Sequence, residues 1–115
     1  MPLVKTRSWA DIEHQYLRLL QHNWPVSNMI DLVKHIASSP LSERLFGYTS
    51  HDSLRITIYD PAEWNKETLV VDTDGKGYCD FIYHSSPFAK PTFVRRYSQD
   101  LIIPKFDNFI KMIGW

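Results

Sequence analysis

Only one cysteine, Cys79, and four glycines occur in the 115 residues. A lone cysteine excludes an internal disulfide framework. No glycine-rich phosphate loop is present either, because the single Gly75-Lys76-Gly77 run joins two strand-like segments and does not open a helix. Charge of one sign is missing as well: thirteen basic and thirteen acidic side chains cancel, so the chain as a whole has no field that would hold nucleic acid or an anionic bilayer at cellular salt. No apolar run approaches the roughly 20 residues a membrane helix needs, and "MPLVKTRSWADIEHQ" at the start has no apolar signal core. HExxH and CxxC spacings are absent. These absences point to a cytoplasmic protein that works without membrane, nucleic acid, metal or cofactor.

What is present is ordinary globular material. Hydrophobic residues make up 43% and charged residues 23%, which excludes disorder and fibrous classes and fits one domain spanning 1–115. Aromatic residues stand out at 14%, with four tryptophans, more rings than a small core needs, and surplus Trp and Tyr often line contact surfaces. The charge is unevenly spread. Residues 1–49 carry five basic and four acidic groups, residues 50–84 three and seven, and residues 85–115 five and two. An acidic middle therefore precedes a basic tail.

"SWADIEHQYLRLLQHNW" begins with Ser8 and Asp11 in a capping-box-like start and places Trp9, Ile12, Tyr16, Leu19 and Leu20 on one stripe, which predicts a helix from Ser8 to about His22. Ser27 then serves as a second cap, and Met29, Ile30, Val33, Ile36 and Ala37 keep the helical period as far as Ser38. Pro40 to Phe46 predicts a short third helix stopped by Gly47. From there the period alternates. Leu54, Ile56 and Ile58 point one way in "SLRITIYD", and "ETLVVDT" and "YCDFIYH" form a pair of strands with Leu69, Val71, Cys79, Phe81 and Tyr83 facing one core. "PTFVRRYS" adds an edge strand, and helical spacing returns after Pro104 through Phe106, Phe109, Ile110 and Ile113. The expected fold is α+β: two N-terminal helices plus a short third, a three- to four-stranded antiparallel meander and a C-terminal helix, with the helices on one face of the sheet.

"DTDGKGYCDF" poses the one motif question. Asp72, Asp74, Gly77 and Asp80 match positions one, three, six and nine of a calcium-binding EF-hand loop, but Lys76 stands at position five and Tyr83 at twelve, so a cation replaces one ligand and the bidentate glutamate is missing. The flanking runs are β-branched and aromatic where an EF-hand requires helices. A hairpin turn accounts for the same residues, with Gly77 allowing a positive φ.

Catalytic sets fare no better. His14 and His22 lie about 12 Å apart along a helix, too far to share an ion. His35 borders the core of the second helix as a satisfied polar neighbour. Cys79 and His84 fall on opposite faces of one strand, so they cannot act as a dyad, and Cys79 is a packing residue. His51, Asp80 and Arg95 form an acid–base set only if the fold brings them together. The arginines and aromatics of "FVRRY" serve better as a charged edge than as a nucleic-acid footprint.

The leading expectation is a protein-binding domain, of the inhibitor or toxin-immunity type, that covers a partner's surface. Its candidate contacts are Trp64 with Asp60, Glu63 and Glu67 around it, and Asp72 and Asp74 of the acidic segment, which suit a cationic partner. The alternative is a small enzyme or ligand-binding domain with a pocket between helices and sheet lined by Tyr16, Tyr48, His51 and Tyr83. A homodimer through "PTFVRRYS" is a third arrangement.

Overall fold

A serine hydroxyl starts the first helix. Ser8 is extended, its Oγ accepts the Asp11 amide at 3.1 Å, and helix α1 runs from Trp9–Gln21 with Trp9, Ile12 and Tyr16 buried along one stripe. Leu19 reaches only the margin of the core and Leu20 is exposed, so the stripe is shorter than the spacing predicts. Asn23 ends the helix in the left-handed region at φ 65°, where its amide bonds Leu20 O and the Trp24 amide reaches back to Leu19 O. This is a Schellman termination with Asn in place of the usual glycine.

The computed structural model describes residues 3–63, 65–86 and 90–115. Helix α2 is Ser27–Ala37, and Ser27 is its first residue; the flanking Val26 makes no side-chain cap, so the capping role expected of Ser27 is not filled. The third helix is a 3-10 turn, Pro40–Glu43, capped by Ser39 Oγ, which accepts the Leu41 amide at 3.3 Å. It stops before Phe46 because Phe46 already belongs to a strand. Helix α3 covers Ile102–Met112 and begins before Pro104, which sits in the first turn where its missing N–H has no intrahelical partner to lose.

The strands among the described residues are, in chain order, β1 (Leu3–Val4), β2 (Phe46–Ser50), β3 (Ser53–Thr57), β4 (Ala62–Glu63), β5 (Thr68–Thr73), β6 (Tyr78–His84) and β7 (Phe93–Ser98). β1 and β4 form a separate antiparallel ribbon, while β2-β3-β5-β6-β7 is an antiparallel five-stranded sheet in that order. The sheet thus has one strand more than the meander read from the sequence. The additional strand is β2, whose Gly47 is read from sequence as a helix stop. Its glycine has another cause: a Cβ there would lie 2.7 Å from the Trp9 ring. β3 ends at Thr57, and Ile58, expected to face the core, is exposed.

Helices α1, α2 and α3 lie on one face of this sheet. Leu54, Ile56, Leu69, Val71, Cys79, Phe81 and Tyr83 share a core cluster with the buried stripes of α1, α2 and α3. Phe81 stands at its centre. The ring meets Tyr97 of β7 at 5.3 Å and Phe106 and Phe109 of α3 at 5.9 and 5.7 Å between centroids, each edge to face, the arrangement the ring quadrupole favours. Phe81→Ala is expected to cost about 3–5 kcal/mol, and Gly47→Ala about 1–3 kcal/mol through the clash with Trp9; urea unfolding followed by fluorescence measures both.

Candidate functional site

With helices on one face, the residues of the opposite face follow from register. β6 alternates Cys79, Phe81 and Tyr83 inward with Tyr78, Asp80, Ile82 and His84 outward, and the pairing carries that alternation across the sheet. One outer row is Tyr48, Arg55, Val70, Ile82 and Val94, each opposite the next. A second places Asp72 opposite Asp80 and Asp80 opposite Arg96. The first row is sealed at Val70, which is buried, and opens toward β7, where Val94 is 54% exposed. Tyr78, at the turn end of β6, is 44% exposed. Arg55 Nε and His84 Nδ1 are buried on this side without a partner among the described residues.

Arg96 organises the charges of the open side. Its Nε and Nη2 donate to Asp80 Oδ1 and Oδ2 at 2.8 and 3.2 Å, a bidentate clamp, and its Nη1 lies 3.4 Å from Asp74 Oδ2. Its carbon Cζ stands 5.5 Å from the centre of the Tyr78 ring. The hydrogen bond to Asp80 holds the guanidinium pKa above its ordinary value. Asp74 is held below the ordinary carboxylate range chiefly by the Lys76 amide, with the Tyr78 amide and Arg96 adding to it. Asp72 accepts the Ser53 hydroxyl.

The Asp72–Asp80 stretch is therefore a hairpin end. β5 and β6 pair directly, Gly75 and Gly77 take φ 75° and 96°, and Asp74 Oδ1 closes the turn on the amides of Lys76 and Tyr78 at 2.7 and 3.2 Å. The carboxylates that a calcium loop would aim at an ion are here spent on amides, a guanidinium and a hydroxyl. Among the described residues no cluster of His, Cys, Asp and Glu has metal-holding geometry.

The candidate acidic contacts divide into two groups. Asp60 accepts the Thr6 hydroxyl at 2.6 Å, Glu63 lies in β4, and Glu67 accepts the Tyr59 hydroxyl at 2.8 Å, which raises the Tyr59 pKa. Asp72 and Asp74 stand at the far end of β5, about 20 Å away for six residues of strand. Trp64 lies outside the described residues.

The four residues of the alternative pocket are not brought to one cavity. Tyr16 is buried, donates to Asp52 O at 2.8 Å and has its pKa raised, first by burial and then by Asp52. Tyr83 is buried on the helical face between Phe93 and Trp115. Tyr48 is on the outer face opposite Arg55, and His51 is exposed in the β2–β3 turn at φ 58°. His51, Asp80 and Arg95 are likewise separate, because Asp80 pairs with Arg96 on the outer face whereas Arg95 pairs with Phe81 on the other. The sequence does not single out Ile82, and it reads Val94 and Arg96 only as part of the charged edge "FVRRY"; the register brings the three to one face.

Cys79 is fully buried against Met29 Sδ at 3.9 Å, with Asn28 Nδ2 at 3.4 Å. Burial, helped by Asp80, Asp74 and Asp72, pushes its thiol from 9.0 up to about 12. A thiol protonated that strongly is no nucleophile near neutrality. Because the folded pKa is raised, the associated stability is complete below 9.0 and is lost as pH climbs through the interval to about 12. Iodoacetamide at pH 8 is therefore expected to leave Cys79 unmodified in the native protein and to label it in urea, with mass spectrometry as the readout. Millimolar Ca²⁺ is expected to leave the melting temperature unchanged in differential scanning calorimetry. Compared with protein-family models, curated proteins and solved structures, the chain matches none.

Proposed function

We propose that the protein is a small protein-binding domain, of the inhibitor or immunity type, that covers part of a partner's surface with the outer face of its sheet on the β6–β7 side. The observation that carries this is the cross-strand pair of half-buried Ile82 and exposed Val94, continued along the strands by the Arg96–Tyr78 stack, on the side of the sheet that no helix covers among the described residues. Isolated exposed apolar residues are common, but adjoining ones on a rigid sheet, rimmed by charge, mark contact surfaces. The rim is formed by Asp72, Asp74 and Asp80 around Arg96. A partner with an apolar centre and cationic margin matches it. A standard contact takes about 800 Å² from each partner, roughly an eighth of the 6546 Å² surface, so one sheet face with its margins suffices.

Self-pairing through β7 is the weaker arrangement. An antiparallel copy centred on the strand sets Arg95 against Arg96 of its mate, and like charges directly opposite destabilise a pair.

Val94→Glu tests the proposal. Surface substitutions of this kind change stability within about 0.5 kcal/mol, so the fold serves as its own control in thermal melts. In affinity capture from the native cell, a protein retained by the wild type and by Lys34→Glu on the helical side is expected to be lost with Val94→Glu. Capture of the same set by all three forms overturns the proposal.

A further inference from the structure

The helical side carries a second feature, independent of the sheet face. A cleft of about 260 Å³ opens between the last turns of α2 and α3 and the 3-10 helix, lined by His35, Leu41, Arg44, Asp107, Ile110 and Lys111 among others. No strand contributes to its wall. His35 Nε2 lies 2.8 Å from Asp107 Oδ1. An ionised carboxylate only accepts, so Nε2 carries the proton and donates. The bond orients Asp107 and leaves Oδ2 without a partner among the described residues. Arg44 and Lys111 are exposed, and the ion pairs among the described residues are those of His35 with Asp107 and of Arg96 with Asp74 and Asp80, so neither cation is used.

The charges of both signs decide the ligand class. Two cations and one carboxylate line the cleft, so it offers a partner to a charge of either sign. A dipolar molecule gains at both ends. We infer that the cleft binds a free amino acid with an apolar side chain. Its carboxylate meets the Arg44 guanidinium and the Lys111 ammonium, its ammonium meets Asp107 Oδ2, and its side chain lies against Leu41 and Ile110. Arg44 supplies the planar fork that suits a carboxylate. The dipole at the end of α3 is reason enough for Lys111, but Arg44 follows a helix of only four residues and has no such explanation.

Titration of the full chain with L-leucine, followed by ¹⁵N–¹H NMR, tests this with two comparators of matched shape. Leucinamide lacks the carboxylate and 4-methylpentanoate lacks the ammonium. L-Leucine is expected to give saturable shifts confined to the α2, 3-10 and α3 residues of the cleft, with both comparators roughly tenfold weaker or worse, since each forfeits a charge-assisted hydrogen bond. Arg44→Gln is expected to weaken L-leucine roughly tenfold while leaving leucinamide unchanged. That last comparison separates loss of the carboxylate contact from a general disturbance of the fold. Equal affinity for 4-methylpentanoate reduces the site to an anion patch, equal affinity for leucinamide reduces it to an apolar cleft, and no saturable shift up to millimolar L-leucine removes the site; each of these overturns the inference.

Discussion

The contact of Phe81 with the rings of Tyr97, Phe106 and Phe109 ties the central hairpin of the sheet to the edge strand and to the C-terminal helix at once. Because strand side chains alternate, fixing Phe81 inward also fixes Cys79 and Tyr83 inward and Asp80 and Ile82 outward. A slip of one residue would bury Asp80 and expose Phe81, which the cost of burying an unpaired carboxylate forbids. The orientation of the whole outer face follows from this one constraint.

That face is neither a plain solvated surface nor a second core. Val70 at the middle is closed over, the β7 side is open, and the carboxylates nearby are held by Arg96, by turn amides and by Ser53. Such held charges cost little further ordering when a partner arrives, which favours recognition by a rigid surface. The two sheet edges differ too: Arg7 bridges to Gly47 beside β2, whereas β7 carries exposed arginines and no neighbouring strand among the described residues. Edge arginines discourage unselective pairing.

The helical cleft rests on different physics. Its polar groups arrive from the ends of helices, where backbone carbonyls attract cations, and its one ion pair joins residues 72 positions apart. The sheet face and the cleft share no residues, so each can be altered without touching the other.

How much of this was legible beforehand follows from range. Helix α1 with its Ser8 cap, the body of α2, the β5–β6 hairpin and the inward set Leu69, Val71, Cys79, Phe81 and Tyr83 are all written in local spacing, because helical and strand periods and turn residues act within a few positions. β2 was hidden since Gly47 imitates a helix stop, and its actual reason, the ring of Trp9, lies 38 residues away in the chain. The start of α3 was hidden because Pro104 tolerates the first turn as well as a position outside it. By itself the sequence determined the α+β class, the one-sided amphipathic strands and the turn character of Asp74 to Gly77, all consequences of local stereochemistry. Which carboxylates Arg96 would claim, that Ile82 and Val94 would meet on the face opposite the helices, and that His35 would find Asp107 were decided only in three dimensions, because charge and packing act through space between residues whose separation along the chain carries no periodic trace.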